Sequence, residues 1–256
     1  MALRRGPSPA LVLLLLLLAA ASCVAAPRQK RIVGGSPAAI ADFPWQLSLQ
    51  YDGSHTCGAA VIGGEWALTA KSCVGTDHLE HLQLRAGSAA RSSGGSLHNV
   101  TQAVRHYLAL PTAMDYDFAL LKVSPAFNLD DPNVKAAALP EEGSDPLAGT
   151  AVVATGWGRN GTSVELPETL EQVSSAVLER ADCQEQLGTW YVTEHMVCAG
   201  ASDRGLVCWG DTGGPLVSGT TLVGVVPTTG VSCDEQPSVF CRVSDVRSWI
   251  TNNTGI

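Results

Sequence analysis

Basic residues are scarce in this chain and concentrated at its start. The 256 residues include 16 Lys and Arg against 24 Asp and Glu, a formal net charge of −8. Five of the 16 basic residues and none of the acidic ones lie in positions 1–31, so residues 32–256 keep 11 basic against 24 acidic residues, a net −13. Such a surface repels nucleic acid, heparin and anionic membranes. We therefore expect no nucleic-acid and no membrane partner.

Long apolar runs are absent after the N-terminus. Residues 11–21 form an apolar run that follows Arg4 and Arg5, and small residues continue to Ala26. This order is typical of a secretory signal peptide. A membrane anchor is the alternative, but a span needs about 20 apolar residues. We predict that residues 1–26 are a signal peptide and that the protein is secreted and extracellular.

Internal repeats and metal-ligand spacings are also missing. The six His are scattered and no Cys/His spacing indicates zinc, so the sequence predicts no metal and no cofactor. Eight Cys are present, and Cys23 lies in the predicted signal peptide. The remaining seven would enter a compartment that favours disulfides, and an odd number leaves at least one outside an internal bridge.

The chain does contain many short strand-like runs, separated by loops with Gly and Pro. These runs are residues 46–51, 59–62, 67–70, 118–123, 151–155, 221–226 and 239–243. Residues 245–253 predict a C-terminal helix with Val246, Trp249 and Ile250 on one face. Many short strands with few helices favour an all-β sandwich or barrel.

Short motifs in a fixed order narrow this choice. They are Ile32-Val33-Gly34-Gly35, Leu68-Thr69-Ala70-Lys71-Ser72-Cys73, Asp117-Phe118-Ala119-Leu120-Leu121, Gly156-Trp157-Gly158, Gly210-Asp211-Thr212-Gly213-Gly214-Pro215 and the closing segment 243–250. Apart from Thr212, which replaces Ser, the fifth motif resembles the nucleophile loop of the chymotrypsin/trypsin-like serine proteases. The resemblance implies an all-β fold of two six-stranded antiparallel β-barrels with a C-terminal helix, over residues 32–256.

A basic segment separates the predicted signal peptide from this domain. Arg28-Gln29-Lys30-Arg31 is a candidate cleavage site, and we interpret residues 27–31 as a short propeptide. A solvated basic stub is the alternative, which the adjoining Ile32 disfavours. The resemblance implies that the new α-amino group of Ile32 pairs with Asp211 after cleavage. Whether this activation switch is used or merely inherited stays open at this point.

The triad positions are degenerate. The resemblance places Asp117 at the Asp position, Ser72 at the His position and Thr212 at the nucleophile position. A Ser hydroxyl has no useful basicity near neutral pH, and the Thr methyl stiffens χ1 and crowds the path of attack. Gly210 and Thr212 could still supply the backbone N–H groups of an oxyanion hole. A Ser72–Lys71 dyad is an alternative, although adjacent side chains usually point apart.

The substrate cleft also departs from the family pattern. Leu206 stands at the pocket floor, where a trypsin-like member would have Asp. Pro227, Thr228 and Thr229 replace a Ser-Trp-Gly segment, and Ser238 replaces a pocket Gly. These changes remove a hydroxyl that would bond the triad Asp, remove an aromatic wall and crowd the pocket mouth. His55 matches a family position whose role is structural.

The resemblance further implies a covalent frame. It pairs Cys57 with Cys73, Cys183 with Cys198 and Cys208 with Cys233. Cys241 is left over, and we interpret it as a buried free thiol, with an intermolecular disulfide as the alternative. N-glycosylation sequons begin at three positions, Asn99, Asn160 and Asn252.

These features together predict a secreted, non-catalytic serine protease homologue. It would act as a monomeric binding or regulatory module, for example in a proteolytic cascade, where its protein partner is a protease, a substrate or an inhibitor. A weak or unconventional serine endopeptidase that uses Ser72–Lys71 or Thr212 is the rival hypothesis. A ligand-binding protein outside any cascade is a third.

Overall fold

Short antiparallel strands make up the framework of the protein. A computed structural model describes residues 35–75, 78–109, 114–159, 164–200, 206–228 and 237–256. In these ranges the strands are β1 (Ser36–Pro37), β2 (Gln46–Tyr51), β3 (Ser54–Gly63), β4 (Trp66–Thr69), β5 (Leu82–Ala86), β6 (Ser96–Arg105), β7 (Ala119–Ser124), β8 (Ala151–Gly156), β9 (Glu171–Ala176), β10 (Met196–Ala199), β11 (Pro215–Ser218), β12 (Thr221–Val225) and β13 (Ser238–Arg242).

The first half of the chain forms a closed barrel. Its strand order is β2-β3-β4-β7-β6-β5, with antiparallel neighbours. In β5 the alternating Leu82, Leu84 and Ala86 are buried, as the period of two in a strand requires. Leu68 and Leu120, paired across β4 and β7, are fully buried in the same core. This barrel agrees with one of the two predicted.

The second half is more open than the second six-stranded barrel of the prediction. The described strands form an open seven-stranded sheet in the order β1-β9-β8-β11-β12-β13-β10. A single bridge between Val177 and Ala199 connects its β9 and β10 sides. Val177 lies just beyond β9, where the chain turns away toward a helix, so no regular ladder closes the sheet within the described ranges. The fold is chymotrypsin-like, with one barrel and one half-barrel.

Two short α-helices accompany the strands in the described ranges. Helix α1 spans Arg180–Leu187, and helix α2 spans Arg247–Thr254 after a 3-10 turn at Val243–Val246. The predicted C-terminal helix is therefore present, although its first turn is 3-10. Val246 and Ile250 are buried as expected, and Trp249 is partly buried beside them. No helix in the described part of the chain is long and apolar enough to cross a membrane.

Disulfides fasten loops in both halves. Cys57 is bonded to Cys73 and Cys183 to Cys198, two of the pairs that the resemblance implies. Cys208 is also disulfide-bonded, and its expected partner Cys233 lies outside the described residues.

Cys241 is free and buried. Its thiol lies 2.9 Å from the carbonyl oxygen of Met114, to which it donates. Burial, and secondarily the nearby charge of Asp117, raises the pKa of this thiol well above its usual range. A buried thiol that resists ionisation is a poor nucleophile, which favours its interpretation as a small apolar group.

Candidate functional site

Strand pairing brings two of the predicted triad positions together. Ser72 lies on a 3-10 turn at Lys71–Cys73, just after β4, and Asp117 lies just before β7. Because Thr69 pairs with Ala119 across these antiparallel strands, the end of β4 and the start of β7 lie side by side. The barrel therefore fixes the separation of the Ser72 and Asp117 side chains.

Asp117 is buried and its carboxylate is bound from three directions. The Ser72 hydroxyl donates to Oδ2 at 2.7 Å, and the Ser72 backbone N–H donates to Oδ1 at 2.7 Å. The backbone N–H of Thr228 donates to Oδ2 at 2.8 Å. This last bond replaces the hydroxyl that Pro227 lacks, and no side chain in the sequence signals it. Charged hydrogen bonds of this kind are among the strongest in proteins.

The Thr212 loop rests against the first barrel. The backbone N–H of Gly58 donates to the Thr212 carbonyl oxygen at 2.8 Å, and Cys73 Sγ lies 3.6 Å from the same oxygen. Gly213 has φ +81°, and a Cβ there would collide with Thr69 and with the Gly58 carbonyl. The Thr212 side chain is half-buried, and its hydroxyl makes no hydrogen bond to a described residue.

The backbone amides of this loop fall into two groups. The N–H groups of Asp211, Gly213 and Gly214 donate to the carbonyl oxygens of Cys208, Val226 and Asp211, respectively. The N–H groups of Gly210 and Thr212 have no acceptor among the residues that the structure describes. Gly210 has φ +102°, a conformation that glycine adopts readily. An amide pair of this kind is what an oxyanion hole requires.

No histidine stands where a general base is needed. All six His lie in the described ranges, and none has a hydrogen bond to Ser72 or Thr212 there. His55 contacts the loop that carries Thr212. Its Nδ1 lies 2.8 Å from Ser48 Oγ, and its Nε2 lies 3.0 Å from the Gly210 carbonyl oxygen. Burial lowers the pKa of His55 to about 4. Neutral and engaged at both nitrogens, this ring is a structural element.

Lys71 does not provide a base either. The Ser72 hydroxyl is directed to Asp117, and no contact joins it to the Lys71 side chain among the described residues. The neighbouring lysine is half-buried. The geometry thus gives no support to a Ser–Lys dyad, which would need the amine within hydrogen-bond reach of the hydroxyl.

The predicted pocket floor is closed by apolar packing and by one hydroxyl. Leu206 is buried in the core of the second half. Ser238 Oγ accepts hydrogen bonds from the backbone N–H groups of Leu206 at 2.7 Å and Val207 at 3.3 Å. Pro227 is buried and Thr228 is exposed, while Thr229 lies outside the described residues. Nothing in the described part of this floor complements a basic side chain.

Asp211 is a buried carboxylate with two backbone donors. The N–H of Gly158 donates to Oδ1 at 2.7 Å, and the N–H of Cys208 donates to Oδ2 at 2.9 Å. Burial raises the pKa of Asp211 to about 7 against these two hydrogen bonds, and the charge of Glu171 adds to the rise. A Cβ at Gly156 or Gly158 would collide with this carboxylate. Arg31 and Ile32, its expected activation partners, lie outside the described residues.

The predicted glycosylation positions are in different settings. Asn99 is exposed on β6, where its Oδ1 accepts from the Gln83 side chain at 2.8 Å. Asn252 is exposed on helix α2. Asn160 lies outside the described residues. Exposure is a precondition for modification and does not by itself establish it.

Comparisons with known proteins agree with this architecture. The family profile described as Trypsin matches residues 32–250. Trypsin beta of Drosophila erecta is 36% identical over 228 residues, covering 87% of this chain and 88% of that relative. Trypsin 5G1 of Aedes aegypti is 36% identical over 231 residues, covering 88% of this chain and 86% of its own length.

A solved structure is similar as well. It is that of neuropsin, described as a serine protease expressed in the limbic system of mouse brain, with a TM-score of 0.78 and 26% identity. The similarity covers 86% of this chain and 98% of that one. The family profile spans the segment that carries Ser72, Asp117 and Thr212. This chain therefore belongs to the trypsin family.

Proposed function

We propose that this chain is a secreted trypsin-family protein without proteolytic activity, which acts as a binding or regulatory module. One observation carries the proposal: the position of the catalytic base is occupied by Ser72, whose hydroxyl and backbone N–H both donate to Asp117. A group that donates its proton to a carboxylate cannot accept the proton of a nucleophile. The base is therefore missing, and the carboxylate that would orient it already accepts three hydrogen bonds.

The expected loss of rate is large. Removing the acting members of a Ser-His-Asp triad costs about 10⁶-fold in turnover, and the oxyanion hole and binding retain about 10³–10⁴-fold over water. Thr212 keeps a hydroxyl, but nothing among the described residues activates it. The amide pair of Gly210 and Thr212 is the feature that favours the rival function, a weak endopeptidase. It stabilises a developing oxyanion without supplying a nucleophile.

The binding function uses the same face. The partner is a protein, namely a protease, a substrate or an inhibitor of a proteolytic cascade, and this chain would compete with active relatives for it. Trp209, beside Gly210, is 54% exposed and offers an aromatic anchor of the kind enriched in protein interfaces. Leu206 removes the charge that selects basic side chains, so the partner contacts lie around the cleft rather than deep in it.

Processing completes the proposal. Residues 1–26 direct secretion, residues 27–31 are removed after Arg31, and the monomeric domain 32–256 is N-glycosylated at exposed Asn99 and Asn252. The α-amino group of Ile32 would then pair with Asp211, because a buried carboxylate that has two amide donors among the described residues gains from a buried cation. With catalysis gone, the ordering of the Gly210 loop would serve partner binding.

The test is direct. Purified protein starting at Ile32 is treated with a fluorophosphonate probe and assayed on peptide and ester substrates, with Thr212→Ala as the matched control. We expect no labelling and no hydrolysis above the Thr212→Ala background. Steady hydrolysis that copurifies with the protein and disappears in Thr212→Ala would establish the endopeptidase instead.

A further inference from the structure

A group of metal-ligating side chains lies outside the degenerate site. A 3-10 turn at Leu79–His81 follows His78, and it brings together three residues whose spacing alone predicted no metal site. His78 Nδ1 lies 3.1 Å from Glu80 Oε1, and His81 Nε2 lies 3.8 Å from the same oxygen. The candidate ligand atoms of all three residues lie within 4.8 Å of one another. We propose that His78, Glu80 and His81 bind a zinc ion.

The distances suit a tetrahedral zinc ion. Zinc lies about 2.0–2.2 Å from imidazole nitrogen and carboxylate oxygen, so its tetrahedral ligand atoms are roughly 3.3–3.5 Å apart. The separations of 3.1 and 3.8 Å from Glu80 Oε1 lie on either side of this value. The His78 and His81 nitrogens, which lie within 4.8 Å of each other, would come to the same separation by rotation of their side chains when the ion binds. Two imidazoles and one carboxylate leave the fourth position to water or to a group from a partner.

His81 is held as metal-binding histidines usually are. Its Nδ1 lies 2.6 Å from Asp52 Oδ1, to which it donates, so the lone pair of Nε2 is directed toward Glu80. The backbone N–H of Asp52 donates to the His81 carbonyl oxygen at 3.0 Å, and the Tyr51 ring stacks on the imidazole at 5.2 Å. A carboxylate behind a ligating imidazole fixes its tautomer and raises its basicity.

The backbone conformation of His78 also favours a bound ion. Its φ of +83° is in the left-handed region, which costs energy for a residue with a Cβ and tends to persist where the surroundings or a ligand enforce it. This conformation turns Nδ1 back onto Glu80 at the start of the turn. The nitrogen content of the set favours zinc over calcium or magnesium, which prefer oxygen ligands.

The experiment uses tag-free protein starting at Ile32, titrated calorimetrically with zinc chloride and, in parallel, with calcium chloride. We expect one zinc per chain, no comparable binding of calcium and a higher melting temperature with zinc. Glu80→Gln, His81→Gln and His78→Asn should each weaken zinc binding by about 10-fold or more, and Asp52→Asn by about 10-fold, the usual loss when the residue behind a ligand is removed. Asn keeps the left-handed backbone at position 78 accessible.

The matched control is His195→Gln. His195 is also half-exposed and paired with a carboxylate, since its Nδ1 lies 3.1 Å from Asp245 Oδ2, but it lies outside the cluster. Zinc affinity should be unchanged in this variant. Absence of zinc binding, or equal weakening in His195→Gln and His81→Gln, would overturn the proposal. Circular dichroism of each variant without metal separates lost ligation from lost folding.

Discussion

The two sides of the candidate site differ in how fully their polar groups are paired. On the first-barrel side, Asp117 accepts from the Ser72 hydroxyl, the Ser72 N–H and the Thr228 N–H. On the loop side, Asp211 has two backbone donors, and the amides of Gly210 and Thr212 have no acceptor among the described residues. One carboxylate is satisfied within the fold, whereas the other side still has capacity for a ligand or an ammonium group.

The difference follows from what holds each side. The side chains at positions 72 and 212 can each be replaced by a single substitution. At position 72, the small polar Ser donates hydrogen bonds to the Asp117 carboxylate without a histidine. The backbone of the Gly210 loop is fixed by Gly58, Gly213 and the hydrogen bond at the Thr212 carbonyl, so its conformation does not depend on the side chains at positions 72 and 212. Single substitutions can therefore change the side-chain parts of this site more easily than its backbone parts.

The largest effect is expected when the family's His and Ser are placed together at positions 72 and 212. We expect Ser72→His with Thr212→Ser to stay at least about 100-fold below an active trypsin-family relative, because small displacements of reacting groups typically cost about that much. The altered cleft at Leu206 and Pro227 is the source of the displacement. The assay uses substrates with basic and apolar side chains at the cleavage position, and both single variants serve as controls. Activity within tenfold of the relative would contradict our view of the cleft.

Removing the Cys57–Cys73 disulfide is expected to have the second-largest effect. Cys57→Ala with Cys73→Ala should lower the free energy of unfolding by about 2–5 kcal/mol, the usual cost of losing a native disulfide. Because Cys73 Sγ contacts the Thr212 carbonyl oxygen, hydrogen exchange should rise at residues 210–214 as well as at 70–73. Cys241→Ala is the control and should leave the exchange at residues 210–214 unchanged. Faster exchange at residues 70–73 alone would show that the sides are independent.

The buried carboxylate gives a pH signature to the uncleaved chain, prepared as Arg31→Gln. The folded pKa of Asp211 is about 7, above its ordinary 3.8, so between these values the folded state binds more protons than the unfolded state. Stability should therefore fall as pH rises from about 4 to 7, by on the order of 1 kcal/mol per pH unit. Urea unfolding at several pH values measures this slope.

Asp211→Asn in the same uncleaved chain is the control for that slope. The amide does not ionise, so the pH dependence between about 4 and 7 should largely vanish. Cleavage after Arg31 should flatten the slope as well, because an ammonium group beside Asp211 favours the ionised carboxylate. An identical slope with and without the Asp211→Asn substitution would mean that this carboxyl does not govern the stability of the precursor.

The smallest effects are expected from removing one hydroxyl at position 72 or one methyl group at position 212. Ser72→Ala should cost about 1–3 kcal/mol of unfolding free energy, because buried Asp117 loses one of its donors. Thr212→Ser keeps a hydroxyl with no described partner and should change stability by no more than about 0.5 kcal/mol. Chemical denaturation of both variants at pH 7 provides the measurement. Equal costs would remove the distinction between the two sides.

Much of the fold could be predicted because most of its strands are short, largely buried runs between loops that contain Gly and Pro. Residues 46–51 and 151–155 were predicted within one residue of β2 and β8. Strand β6 was missed because its ten residues are mostly polar and only two of them are buried. Helix α1 was missed because it has no apolar stripe, and it is held by the Cys183–Cys198 disulfide instead.

The site could be predicted only as far as side chains reveal it. The motifs identified Ser72, Asp117 and Thr212, but the bond between Ser72 and Asp117 depends on the register of β4 and β7. The contacts of the Thr228 N–H and the Ser238 hydroxyl each involve a backbone group, which leaves no residue-specific signal. The approach of His78 to Glu80 depends on a left-handed backbone at position 78 that the sequence does not reveal.

The two glycines that contact Asp211 restrict which amino-acid substitutions this sequence can accept. A methyl group at Gly156 or Gly158 would strike the carboxylate, so neither position can gain a side chain while Asp211 remains. Position 211 must shrink first, and only then does room appear at the two glycines, which lie far away along the chain. Substitutions at these three positions can therefore accumulate in one order only, with position 211 changing before either glycine. Once all have changed, the aspartate cannot return by a single substitution.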